Sequence, residues 1–213
     1  MSKLKNKSVL ITCGPTWVPI DDVRVISNIS TGEMGQTLAL ECKKRGAKVT
    51  LIEGPVERRL VSKGINVKPF KYFTDLAKII RKELKKNYDV IFHAAAVSDY
   101  AVNKPSKNKI KSDRSRLTLN LVPLPKLIQS LRKFSPKAFI VGFKLESDMT
   151  EKTALESTRG LFKKSFCDLV IANTVRKQKY LGYIVEQDKV LAKGITSRSA
   201  MVKKILNTVE NKI

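Results

Sequence analysis

No apolar run in the chain approaches the roughly 20 residues that a bilayer-crossing helix needs. The basic start, Met1 to Ser8, leads straight into a strand pattern without the apolar core of a signal peptide. No membrane span is therefore expected, and the reading places the chain in the cytoplasm. Cysteine is scarce: Cys13, Cys42 and Cys167 are three, widely spaced and without metal-type pairing, which argues against a disulfide framework or a zinc site. Histidine occurs once, as His93, and a lone strand-end histidine without partners gives no support for a metal centre. No serine or cysteine triad is recognisable. Acidic residues are also few, 19 against 42 lysines and arginines, for a formal charge of +23. Such a charge attracts polyanions. The lysines are nevertheless spread along the chain, with no aromatic-interleaved basic motif or finger spacing. The excess reads as surface composition with weak, salt-sensitive nucleic-acid binding and no specific nucleic-acid partner.

What is present fits one domain spanning residues 1–213, with 42% hydrophobic residues and no internal repeat or linker. Apolar, β-rich runs at Ser8–Thr12, Lys48–Ile52, Asn66–Phe70 and Asp89–Phe92 alternate with helical patterns at Gly32–Arg45, near Val56–Lys63 and at Asp75–Lys86. This alternation predicts parallel strands joined by crossover helices. Continuous apolar strands such as Asp89 to Phe92 suit a sheet covered on both faces. Further on, Lys126–Lys133 reads as helix, Ala138–Gly142 as strand, Thr153–Phe166 as helix and Asp168–Ala172 as strand. Tyr183–Val185 and Val190–Ala192 flank Gln187-Asp188 as a hairpin, and a last helix runs from Ser197 to Leu206. Together these predict an α/β, Rossmann-like three-layer fold with a mostly parallel sheet and a C-terminal hairpin plus helix. The polar, lysine-rich and aperiodic stretch 102–116 reads as a mobile flap.

Residues Asp21 to Gly35, DDVRVISNISTGEMG, gather hydroxyls, an amide and glycines just ahead of a helix whose apolar stripe is Met34, Leu38 and Cys42. Ser30 and Thr31 stand where they can cap free N–H groups, and those groups with the helix dipole favour a phosphate. A serine or threonine before a helix is more often only a cap, so the neighbouring blocks matter.

Those blocks are His93 to Tyr100 (HAAAVSDY), Lys109-Ile110-Lys111, Leu117-Thr118-Leu119 with Pro125 beyond, Val141 to Asp148 (VGFKLESD) and Asp168 to Asn173 (DLVIAN). In this order, and over nearly the whole chain, the sequence resembles phosphopantothenate–cysteine ligase, a coenzyme A pathway family. The resemblance implies a ligase that joins 4′-phosphopantothenate and L-cysteine through an acyl-nucleotide, releasing pyrophosphate. Such chemistry depends on positioning and on spreading negative charge rather than on a side-chain nucleophile. By the same resemblance Asn28, Arg24 and Lys109 are catalytic, with Arg24, Asn28 and Asn173 touching substrate. Gly14, Ser30, Thr31, Gly32, Gly35, Ala95, Ala96, Asp99, Lys109 and Phe143 then bind the nucleotide. Asp99 is the carboxylate for Mg²⁺, and CTP and ATP both remain open as cosubstrate. A homodimer and the absence of flavin are implied as well.

Three departures from the family pattern are visible: Pro15 in place of a second glycine, Glu33 in place of a lysine at the helix start, and Ser112 in place of a further lysine. An oxidoreductase is the rival reading, because Tyr100 and Lys104 reproduce the Tyr-x-x-x-Lys pair of short-chain dehydrogenases. That pair belongs on a helix, whereas Pro105 follows here, and Gly14-Pro15-Thr16-Trp17 is no G-x-G-x-x-G.

Overall fold

The computed structural model describes residues 2–60, 63–113, 115–175 and 179–213, together with the backbone of Arg176. The first half of the chain runs β1 (Ser8–Cys13), β2 (Trp17–Pro19), β3 (Val25–Ser27), α1 (Glu33–Lys44), β4 (Lys48–Glu53), β5 (Asn66–Pro69), α2 (Phe73–Glu83) and β6 (Val90–His93). The second half runs β7 (Tyr100–Val102), β8 (Leu121–Pro123), α3 (Ile128–Phe134), β9 (Phe139–Leu145), α4 (Glu151–Ser165), β10 (Leu169–Arg176), β11 (Lys179–Glu186), β12 (Lys189–Ile195) and α5 (Arg198–Glu210).

Eight strands form one sheet in the order β12-β11-β10-β9-β6-β1-β4-β5. From β10 to β5 all neighbours pair in parallel, and the antiparallel pairings of this sheet are β10–β11 and β11–β12, so that β11 alone runs against the rest. Counting only the parallel strands, the order is the doubly wound 3-2-1-4-5-6, whose direction of winding reverses between β1 and β6. The Rossmann-like expectation therefore holds, including the C-terminal hairpin and helix.

Side-chain alternation explains the two covered faces. Val9, Ile11 and Cys13 of β1 lie with Leu38 and Cys42 of α1 and with Met201, Ile205 and Leu206 of α5. Leu10 of the same strand lies with Leu76 and Ile80 of α2 and Leu131 of α3. At the end of α1, Gly46 takes φ +85°, the left-handed form that lets the chain leave the helix and enter β4.

Three local expectations need correction. Among the described residues, 54–60 form no helix; residues 61 and 62 of the expected Val56–Lys63 helix lie outside the description. The segment is held sideways instead: the Gln36 amide donates to the Arg58 carbonyl at 3.0 Å, and Arg59 pairs with the buried Glu53 at 3.2 Å. Next, two short antiparallel ribbons, β2–β3 and β7–β8, stand outside the main sheet where only loops were expected. The lysine-rich stretch is the connection between β7 and β8. Finally, α1 begins at Gly32 in a left-handed conformation with no side-chain cap. Ser30 makes no cap, and the Thr31 hydroxyl reaches only the Glu33 N–H, at a long 3.4 Å.

Candidate active site at the strand crossover

The crevice at the carboxyl ends of β1 and β6 is where an open α/β sheet accepts ligands. Thr12 and His93 stand side by side across these strands. The buried Thr12 hydroxyl lies 3.0 Å from His93 Nδ1 and accepts the Ala95 N–H at 3.2 Å. Burial pushes the His93 imidazole down to about 4, so the ring is neutral at physiological pH and ties the strand ends together. Beyond them Pro15 bridges to Ala96, whose carbonyl accepts the Thr16 N–H at 3.3 Å, while Ala96 donates to the Gly14 carbonyl at 2.9 Å. Ala95 and Ala96 are thus brought to the crossover, half-buried.

Asn28 follows the end of β3 and reaches the same place. Its Nδ2 donates to the Ala96 carbonyl at 3.1 Å and to the Val97 carbonyl at 3.4 Å. The first bond anchors the amide; the second is longer than usual and leaves an N–H available to a ligand. Arg24 lies elsewhere. It pairs with Asp21 through Nε at 2.9 Å and Nη2 at 2.7 Å, and Nη2 also donates to the Ile110 carbonyl at 2.5 Å. Because Arg24 precedes β3 and Asn28 follows it, four steps of extended chain separate them by about 13 Å. The flap residues therefore gather at Arg24 rather than at Asn28. Exposed Lys109 precedes Ile110 in that gathering.

Gly14, Gly32 and Gly35, expected to bind the nucleotide, are buried against protein atoms. A Cβ on Gly32 would meet Val56 Cγ1 at 2.6 Å, and one on Gly14 would meet the same methyl at 3.1 Å. On Gly35 it would stand 2.3 Å from Cys13 Cβ, so that glycine lets α1 approach β1 closely. Ser30 and Thr31, half-buried and exposed, remain the open flank of the helix start. Glu33 pairs with Arg198 at 3.4 Å, which takes its carboxylate toward the first residue of α5.

Phe143 follows Gly142, the neighbour of His93 on β9, and packs half-buried against the core. Asn173 lies farther along the sheet, on β10 beside Leu145, with its carbonyl accepting the Glu146 N–H at 3.0 Å. Asp99 is exposed and accepts a bond from Lys126 Nζ. Burial pushes the Cys42 and Cys167 thiols up to about 12 and raises Cys13 too, so these three serve as small core residues.

Sequence reasoning passed over Asp21. Its bonds to the Val23 and Arg24 N–H groups, at 3.0 and 2.7 Å, make a local Asx turn that the residue order signals. Its bond to Ile110, at 3.0 Å and 89 positions away, has no sequence signature.

The family model for the DNA/pantothenate metabolism flavoprotein C-terminal domain matches residues 4–210. The chain belongs to that family. Among similar curated proteins, the coenzyme A biosynthesis bifunctional protein CoaBC of Thermococcus kodakarensis is 39% identical over 175 residues, 81% of this chain and 42% of that protein. CoaBC of Borreliella burgdorferi is 34% identical over 211 residues, 95% of this chain and 52% of that one. The chain thus spans about half the length of the curated relatives it matches. Among solved structures, the DNA/pantothenate metabolism flavoprotein of Streptococcus pneumoniae superposes with TM-score 0.85 at 24% identity, covering 97% of this chain and 100% of that one. A Cab2 variant crystallised with phosphopantothenate-cysteine gives 0.78 at 21%, covering 98% and 87%. These likenesses show the fold. Within that fold Tyr100 lies on β7 and Lys104 in the loop after it, so the dehydrogenase-like pair has no helix to share. No helix among the described residues is long and apolar enough to cross a membrane.

Proposed function

We propose that the chain is a phosphopantothenate–cysteine ligase. A carboxylate oxygen of 4′-phosphopantothenate attacks the α-phosphorus of a nucleoside triphosphate and pyrophosphate leaves. The cysteine amine then attacks the acyl carbon, and the nucleoside monophosphate leaves with the bonding pair. The observation that carries this reading is the contact of Asn28 Nδ2 with the Ala96 carbonyl, in a chain that belongs to this family along almost its full length. It joins two separated blocks of the family pattern at the β1–β6 crossover, where open α/β sheets accept ligands.

In this reading the weakly held N–H of Asn28 donates to the oxygen that becomes negative at the acyl carbon, a service worth about 100- to 1,000-fold in comparable sites. Among the described residues Arg24 Nη1 makes no hydrogen bond to protein, so it and Lys109 supply cations for phosphate oxygens. Ser30 and Thr31 face the triphosphate, Phe143 lies beside the base, and Asn173 contacts the substrate at the far end of the crevice. Asp99 offers a single carboxylate, which suits Mg²⁺ held chiefly by triphosphate oxygens and water. When bound, that ion would neutralise charge on the leaving pyrophosphate. CTP and ATP are the two cosubstrates to compare, and unpaired buried thiols are at home in the reducing cytoplasm.

A homodimer belongs to the same proposal. Val23 is 63% exposed and Ile29 fully so; with Ile26, Tyr100 and Leu121 they put apolar surface on the two ribbons. Sedimentation of the purified chain should give a dimer at micromolar concentration, and a monomer there would count against it.

The enzymatic test is pyrophosphate release by the purified protein with Mg²⁺, 4′-phosphopantothenate and L-cysteine, supplying CTP and ATP separately. Release that requires phosphopantothenate is expected with at least one nucleotide. Silence with both would overturn the ligase reading.

A further inference from the structure

Asp21 carries no task in the ligase reading, yet its carboxylate is fully buried and accepts from five N–H groups. Two of these are the local turn. Two more come from the Arg24 guanidinium, which holds the carboxyl well below the usual carboxylate range, with further help from the Ile110 N–H. That fifth donor arrives from the flap, at 3.0 Å.

Both backbone groups of Ile110 are therefore gripped, the N–H by Asp21 and the carbonyl by Arg24. A second tie lies close by, where the Ser106 N–H donates to the Ile20 carbonyl at 2.9 Å. Lys109 and Lys111 flank the gripped residue. They belong to a segment with no strand or helix of its own among the described residues 103–113 and 115–120. A cation on such a segment occupies many positions unless the backbone beside it is fixed, and errors of about 1 Å in placing a group can cost 100-fold in rate. Both Asp21 oxygens are engaged by protein N–H groups, so its part is to hold other residues in place.

We propose that Asp21 is a positioning residue: by binding Arg24 and Ile110 together, it sets the place of Lys109 and Lys111 relative to Arg24, so that the cations meeting the phosphates act as one unit. The inference rests on the ligase reading, whereas the tie itself can be measured without turnover.

In the test, Asp21→Asn keeps the shape and one acceptor for the local turn but puts an amide where Oδ2 receives three donors. Its kcat for pyrophosphate release should fall about tenfold with the KM for phosphopantothenate little changed, because the flap cations act on the transition state. Trypsin should also cut at Lys107, Lys109 or Lys111 several-fold faster than in the unaltered protein. Lys109→Gln, in contrast, should lower kcat and leave cleavage at Lys107 and Lys111 as it was. Hydrogen exchange on the unaltered protein provides the arm that needs no variant: the Ile110 amide should be protected while its neighbours Lys109 and Lys111 exchange. An Ile110 amide as fast as those neighbours would overturn the proposal, as would unchanged kcat in an Asp21→Asn protein whose flap is cut faster. Protection of Ile110 without pyrophosphate release from the unaltered protein would mean that the ligase reading has failed while the tie stands.

Discussion

Asn28→Asp should lower the rate of phosphopantothenoyl-cysteine formation about 100-fold or more while leaving nucleotide affinity nearly unchanged. The substitution is almost isosteric, so the local shape survives. What changes is the sign of the atom facing the Ala96 and Val97 carbonyls, which Asn28 Nδ2 approaches at 3.1 and 3.4 Å. A carboxylate oxygen there repels two carbonyl oxygens, and it offers no N–H to the charge that develops on the acyl carbon. In the proposed ligase the nucleotide is held by cations and helix-start N–H groups rather than by Asn28, so the loss should appear in turnover. The two quantities separate cleanly: product formation under saturating substrates, and equilibrium binding of the nucleotide. Full activity in Asn28→Asp would remove Asn28 from the mechanism, and an equal loss in nucleotide binding would make it a binding residue.

Acid should weaken the fold through His93. The imidazole is buried and its folded value lies near 4 against 6.5 for the free side chain, so the unfolded chain binds the extra proton first. Stability is then complete above pH 6.5, falls as the pH drops from 6.5 to about 4, and levels below that; the contribution amounts to about 3 kcal/mol. Asp21 and Asp89, with carboxyls held low by their partners, add losses at more acid pH. Denaturant unfolding of the unaltered protein and of His93→Gln at pH 7 and pH 4.5 isolates the histidine. The variant should lose clearly less stability over that interval, and identical losses would assign the acid sensitivity to other groups.

Long apolar runs with helical stretches between them carried most of the architecture into view. Val9 to Ile11, Val49 to Ile52 and Val90 to Phe92 are buried on both faces, so their composition alone marks them as strands. The ribbons were hidden for the opposite reason. Val25 to Ser27 and Leu121 to Pro123 are three residues each and exposed throughout, which leaves no alternation to read. The helix expected near Val56 failed because Gln36 and Glu53 from separate elements hold Arg58 and Arg59. Within the site, Asn28 and the Ala95–Ala96 pair were legible because each sits in a recognisable block. Asp21 was not, since the partner that gives it meaning is contributed by the flap.

Val56 ties the first turn of the sheet to the start of α1. A Cβ on Gly14 would come within 3.1 Å of its Cγ1 methyl and one on Gly32 within 2.6 Å, so neither glycine has room for a side chain while Val56 stands there. One aliphatic side chain thus makes two glycines far apart in sequence into a single unit, and a change at any of the three would have to be answered at the other two.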